Sequence, residues 1–314
     1  MESMVKTKSQ KIEEDDLIIK PTSDLFTAVL WSAPKNEPIL RDFINAVLRD
    51  IDRPPITKAT VLNRFNIKEF AVDKAIVLDV RAEDENKRQF NIEVQVASHL
   101  AFPNRTLHYW SELYSSQLRI GGDYTELRPV VSIIITEFPI FPGLKNVHNV
   151  FRLTAMEDPD YVLTEDLQIH FLRLSGPLKG RWEALQTLDR KLCHWVNFFV
   201  FGSQKTEDEM ATLVENDPII REAYLELRRF SSNPEMREKE RRRQRFLADY
   251  HLTIGVAKQE GKIEGKIEGK IEGKIEGKIE GKIDIALEMR KDGMNSKTIA
   301  KYTGLAPEEI ERLS

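Results

Sequence analysis

Two acids lie in successive short apolar runs, and the first stands where a carboxylate is costly unless something holds it. Asp79 interrupts the apolar run Val77-Leu78-Asp79-Val80, and Glu93 sits inside Phe90-Asn91-Ile92-Glu93-Val94-Gln95-Val96. Both runs are short, β-branched and apolar at alternate positions, so both read as strands. The polar residues Glu83 to Arg88 between them read as a solvated hairpin loop. Alternate side chains of a strand point to opposite faces. Phe90, Ile92, Val94 and Val96 are therefore expected on a core face, and Asn91, Glu93 and Gln95 on the other. An unpaired carboxylate in an apolar strand is costly. A hairpin brings Asp79 and Glu93 together, and two such acids repel, raising one pKa unless a cation holds them. A hard divalent ion such as Mg²⁺, which prefers oxygen ligands, resolves that conflict. A plain ion-paired hairpin, with Arg81 or Lys87 as partner, resolves it too.

The wider text carries a resemblance. An Asp in one strand, followed in the next strand by Glu93-Val94-Gln95, resembles the PD-(D/E)XK nuclease core, with Gln95 in place of the usual Lys. Together with Arg105 to Tyr109 and the Gly-Lys-Ile-Glu tail, the motif looks like the Rpn group of recombination-promoting nucleases and transposases. The resemblance covers roughly residues 20–314. It implies an α/β fold, a restriction-endonuclease-like mixed sheet flanked by helices, with a helical C-terminal extension. It also implies a metal-dependent DNA endonuclease. Asp79 and Glu93 would hold Mg²⁺ or Mn²⁺ with help from the Val94 carbonyl, and Arg105 and Tyr109 would face the phosphate, unless Arg105 lies on a solvated face paired to a nearby acid. An Arg suits a phosphate because its planar fork donates two hydrogen bonds. The first helix of the family carries Asp, Phe and Lys. Asp24 and Phe26 match, but Thr27 replaces the Lys, so Asp24 is either a further acid of the site or a helix N-cap. Gln95 cannot act as a base. Its carboxamide can orient water or join the metal. Arg173 and Ser175 stand where the family has Glu and Lys. These departures keep a second reading open: a nuclease fold without chemistry, used for DNA binding, regulation or as an oligomeric scaffold.

Composition narrows the class. The chain has 314 residues, 41% hydrophobic and 31% charged, which is enough apolar material for one sizeable domain with appendages. A net charge of −4 means that DNA contact must come from local basic patches rather than from bulk charge. One cysteine, Cys193, excludes an internal disulfide framework and a cysteine-based zinc site. No apolar run reaches the ~18 residues that span a bilayer, and the first residues lack a signal-peptide pattern. A cytoplasmic protein without membrane contact is therefore expected.

The elements that must position the acids follow from periodicity. Residues 1–19 read as a disordered lead, then 20–200 as the nuclease-like domain. A helix is expected to start at Ser23-Asp24, and another to run from Pro38 to Leu48, ended by Arg53-Pro54-Pro55. A third, from Asn104 to Arg119, sets Leu107, Trp110, Tyr114 and Leu118 on one stripe and Arg105, Tyr109, Glu112 and Ser116 on the opposite one. Val130 to Thr136 reads as a central strand buried on both faces. Shorter strands are expected at Val147–Leu153 and Leu167–Leu174. Helices follow at Gly180–Phe201, with Cys193 in the core, and at Asp217–Tyr250. Within the helical extension 201–260, the basic run Arg237 to Arg245 suits either a solvated face or a phosphate patch.

Residues 261–284 are five copies of Gly-Lys-Ile-Glu and one of Gly-Lys-Ile-Asp. Each interior Gly costs ~1 kcal/mol relative to Ala in a helix. Like charges recur at i,i+4, so a lone helix here is weak. The segment reads as a spacer whose isoleucines need a partner, which points to a homo-oligomer. Residues 285–314 form a small helix-turn-helix-like module. Glu308, Glu309 and Glu311 make its second helix a poor reader of DNA, which favours packing or interaction.

Overall fold

The computed structural model describes residues 18–63, 79–96, 101–141, 143–175 and 185–313. The expected lead at 1–17, and Val77, Leu78, Gly180 and Trp182, lie outside them. The chain divides into two units, Met1–Phe246 and Leu247–Ser314.

The first unit is built on a mixed sheet of six strands among the described residues, in the order β1-β2-β3-β4-β6-β5. These are β1 (Thr60–Val61), β2 (Asp79–Glu83), β3 (Gln89–Gln95), β4 (Val130–Thr136), β5 (His148–Phe151) and β6 (Leu167–Arg173). β2 and β3 form the expected hairpin, with Asp79 directly opposite Glu93. β3, β4 and β6 run parallel, and β1 and β5 are antiparallel edges. A parallel neighbour needs a crossover, which α3 (Phe102–Ser115) supplies between β3 and β4. β4 is the central strand, buried along its whole length.

The pleat sorts the sheet into two faces. Val80, Ala82, Phe90, Ile92 and Val94 join Val131, Ile133 and Ile135 in one core. The helices α1 (Asp24–Ser32), α2 (Glu37–Arg49), α4 (Arg190–Phe201) and α6 (Pro218–Ser232) supply its other half. Trp31 stacks on Phe43 there, and Trp195 meets Phe43 edge-on. The opposite face, with Val130, Ile134, Ile169 and Phe171, is covered by Phe102, Trp110 and Leu113 of α3.

Several sequence expectations need correction. Val96 lies beyond the end of β3 and is 42% exposed rather than in the core. α3 begins and ends earlier than its periodicity suggests, and its buried stripe is Phe102, Thr106, Trp110 and Leu113. Leu107, expected inside, is half exposed. The hairpin loop is not fully solvated. Asp84 is buried, and its carboxylate accepts the backbone N–H groups of Asn86 and Arg88 and pairs with the Arg88 guanidinium. The helix expected over 217–250 is two helices, α6 and α7 (Pro234–Lys291). The break falls at Asn233, because Pro234 lacks an N–H and disfavours helix in the residue before it. α5 (Glu207–Leu213) opens on a capping box between Thr206 and Glu209.

α7 contributes its first turns to the first unit and the rest to the second. The repeat lies within this one helix. The second unit ends in α8 (Ser296–Thr303) and α9 (Pro307–Arg312). Asn295 caps α8, and Gly304, at φ +68°, closes it in a left-handed conformation that suits glycine. Ala286, Ile299 and Ile310 form its small core.

Candidate active site

Glu93 is held from two sides. Its parity in β3 puts it on the sheet face that α3 covers, beside Ile134 of β4. The residue is 2% exposed. Gln95, two residues on and therefore on the same face, donates its amide to Glu93 Oε1 at 2.5 Å. Arg105 of α3 donates to the same oxygen at 2.9 Å. Arg105 also lies over the Phe102 ring, 4.8 Å from its centroid, so an aromatic face and a carboxylate together fix the guanidinium. Of the two sequence readings of Arg105, the structure shows the pairing with an acid, and that acid is buried rather than on a solvated face. The Nε of Arg105 has no hydrogen-bond partner among the described residues.

Asp79 starts β2 and faces the same side. Arg81, on the same strand face, donates Nε to Asp79 Oδ2 at 2.9 Å. Asn63 staples the strand edge where β1 has ended. Its amide donates to the Asp79 carbonyl and its oxygen accepts the Arg81 N–H. Burial pushes the Glu93 carboxyl above its ordinary value, and the Asp79 charge pushes the same way. Arg105 and Gln95 pull it down, and burial prevails. The rise is thus mainly a matter of burial, with the facing Asp79 a smaller contribution.

Sequence reasoning left Asp24 as an extra acid or an N-cap. Ser23 is the N-cap: its Oγ accepts the Phe26 N–H at 3.1 Å, and Asp24 is the first helical residue. Thr27 turns inward and donates to the Ser23 carbonyl. Arg243 of α7, 1% exposed, donates Nε and Nη2 to Asp24 Oδ2 at 3.2 and 2.8 Å. Asp24 Oδ1 is buried and has no partner among the described residues. Glu240, one turn before Arg243, accepts the Ser23 hydroxyl at 2.7 Å. Burial raises its carboxyl, and the Asp24 charge adds to the rise. Arg243 of the basic run is spent inside, so the run is not a uniformly solvated face. Nothing in the sequence separates Arg243 from the five other basic residues of that run.

Tyr109 is half-buried on α3, one turn beyond Arg105, with His108 as its ring neighbour. Arg173 donates to the carbonyls of Leu144 and Lys145, a structural role. The Val94 side chain belongs to the opposite core, which leaves only its carbonyl for the site. Among the described residues no cluster of three metal-ligating side chains occurs. The donor set at Asp79, Glu93, Gln95 and the Val94 carbonyl is all oxygen on the acceptor side. That set, and the raised Glu93 carboxyl, fit a hard divalent ion.

Set against known protein families, residues 21–257 match the PD-(D/E)XK nuclease family transposase. No curated protein and no solved structure matches the chain. Among the described residues no helix is long and apolar enough to cross a membrane.

Proposed function

We propose, for a chain that belongs to the PD-(D/E)XK nuclease family transposases, that it is a metal-dependent DNA endonuclease of the Rpn group, acting in recombination or on mobile elements. One observation carries the reading. Asp79 and Glu93 stand directly opposite each other in the β2–β3 hairpin, on one sheet face, with Glu93 buried and its carboxyl raised. Asp79, Glu93 and the Val94 carbonyl would hold Mg²⁺, or Mn²⁺ in its place. A divalent ion at such a site supplies Lewis acidity toward the phosphoryl oxygens and a more acidic water.

The other roles belong to the chain. Glu93 supplies the negative charge that fixes the cation. Gln95, already hydrogen-bonded to Glu93, orients the attacking water through its carboxamide oxygen. Arg105 places a positive charge beside the phosphate while it anchors Glu93. Tyr109 extends that face of α3 toward the DNA backbone. Asp24, held by Arg243 on one oxygen, offers the other as an outer acid of the site. The repeat in α7 joins chains into a homo-oligomer, and the protein is cytoplasmic.

A second reading has its own support. Glu93 Oε1 is already shared by Gln95 and Arg105, and no Lys stands at position 95. A nuclease fold retained for DNA binding or regulation fits those facts. A supercoiled-plasmid assay in Mg²⁺, Mn²⁺ and EDTA decides between the two. The endonuclease reading expects nicked or linear DNA with metal, none with EDTA, and none from folded Asp79→Ala or Glu93→Ala. DNA binding without cleavage under every condition selects the second reading.

A further inference from the structure

The repeat in α7 cannot satisfy its own charges. Helical neighbours lie at i±3 and i±4. For every Lys from Lys262 to Lys282 those positions hold Gly, Ile, Gln, Ala or another Lys. For Glu264 to Asp284 they hold Gly, Ile, Leu or another acid. Within the repeat, therefore, opposite charges never meet at helical spacing. Its isoleucines are equally unprovided for: Ile263, Ile267, Ile271, Ile275 and Ile279 are 52, 53, 54, 53 and 47% exposed. The glycines Gly261 to Gly281 have open space where a Cβ would sit.

Geometry then says what fits. At about 100° per residue, Lys lies about 100° to one side of each Ile and Glu about 100° to the other. A Lys stripe and a Glu stripe thus flank the Ile stripe along its whole length. Suppose two such helices face each other through isoleucine. In a parallel pair, a two-fold axis along the helices sets the Lys flank of one chain against the Glu flank of the other, on both sides. In an antiparallel pair the axis lies across the helices, and Lys meets Lys while Glu meets Glu. We infer that the repeat is a self-recognition surface whose occupant is a second copy of this chain, bound parallel. Its charge pattern rejects the antiparallel arrangement.

Two further consequences follow. Four residues overshoot a turn by about 40°, so the Ile stripe winds right-handed and the pair must wrap in that sense. Every repeat presents the same layer, so the interface chemistry is independent of repeat number. Both chains also enter the pair from the same end. That suits two cuts on opposite strands of one duplex, a point that rests on the nuclease reading, whereas the pairing itself does not.

The test uses the full chain with Cys193→Ser and a spin label at Gly261→Cys or Gly281→Cys, where the added side chain meets open space. Light scattering gives the mass, and pulsed dipolar spectroscopy gives the distances. The inference expects a dimer with short distances in both singly labelled proteins. It expects a 261-to-281 separation between chains of at least about 30 Å, the length of 20 helical residues. A monomer, a mass above a dimer, or a short 261-to-281 distance overturns it. The variant with Ile267, Ile271 and Ile275 all changed to Ser alters only exposed side chains and should abolish the dimer. A dimer persisting there also overturns it. No readout involves cleavage, so a failure of the nuclease reading leaves these results intact.

Discussion

Arg105 donates to Glu93 across 2.9 Å, from the helix that covers one face of the sheet to the strand beneath it. The two side chains differ in exposure, 30% for Arg105 and 3% for Glu93. The acid is inside and its counterion is at the rim. A group at the rim can respond to a ligand, and a group inside needs it to stay. The pair therefore couples whatever approaches α3 to the protonation of Glu93.

Removing Arg105 should destabilise the protein in a pH-dependent way. Breaking a fully buried pair costs ~3–5 kcal/mol. Arg105 is partly solvated, so Arg105→Ala is expected to cost about 1–3 kcal/mol near pH 8. The Glu93 carboxyl is already raised above its ordinary value of 4.5, with burial the first cause. Without Arg105 it rises further. Below that raised value the carboxyl is protonated in the folded state and needs no counterion, so the deficit should shrink as pH falls. Urea midpoints of wild type and variant at pH 8 and pH 5 measure this, and an equal deficit at both would refute it.

Arg243 and Asp24 make a second, deeper pair, with Arg243 side-chain exposure of 2%. Arg243→Met would leave the carboxylates of Asp24 and Glu240 buried beside each other, and Arg243 takes part in other contacts besides. A loss of ~3–5 kcal/mol is expected, because an uncompensated buried charge remains. Asp24→Asn in the same background should recover part of it. Chemical denaturation of the four proteins of this cycle gives the coupling. Strict additivity would show that the contact carries no energy of its own.

The parts of this fold that were legible in the sequence share a feature: the pattern and the local chemistry agreed. β4 is nearly continuous β-branched material and is buried throughout. Strand parity and a short loop let Asp79 and Glu93 converge if the strands pair, and the register sets them directly opposite each other. The parts that were not legible depend on contacts distant in sequence. The periodicity of α3 leaves the partner of Arg105 open between a phosphate and a nearby acid, because it does not reveal that β3 places Glu93 beneath it. Leu107 reads as inside because it shares a stripe with Trp110, but the buried stripe of Phe102, Thr106, Trp110 and Leu113 is centred about 90° further round the helix. Arg243 reaches Asp24 across 219 positions, and no local signal marks it.

A fully buried histidine pair on the β5–β6 edge should govern acid stability. His148 bridges Asp50 Oδ2 at 2.6 Å and His170 Nδ1 at 3.0 Å, and His170 is 0% exposed. Burial first, then the charges of His148 and Arg53, hold the His170 imidazole well below its ordinary value of 6.5. A base with a depressed folded pKa takes up its proton more readily when unfolded. Stability should therefore fall as pH drops below about 6.5, with a slope of at most ~1.4 kcal/mol per unit from this one group. Glu93 and Glu240, with raised carboxyls, act in the opposite direction as pH falls. The difference between wild type and His170→Gln isolates the histidine. Unfolding free energies between pH 7.5 and 5 should run flatter in the variant, and parallel curves would exclude His170.

Gln95 decides how the site would do chemistry. Its amide nitrogen is bonded to Glu93 Oε1 at 2.5 Å, which turns its carbonyl oxygen away from that carboxylate. If that oxygen only orients water, Gln95→Lys should keep or raise plasmid cleavage. An ammonium at the same place would still donate to Glu93, and it would lower a carboxyl that burial has raised. The variant should also fold as well as wild type, since Gln95 lies at the half-buried end of β3 and a Lys can snorkel from it. If instead the carboxamide oxygen is a metal ligand, Lys offers no acceptor. Cleavage would then vanish while the thermal midpoint stays put, and metal affinity measured by calorimetry would fall with it. Cleavage rates in Mg²⁺ and thermal midpoints of the two proteins separate these outcomes, and a loss of cleavage accompanied by unfolding is resolved by Gln95→Glu, which keeps an oxygen donor at that position.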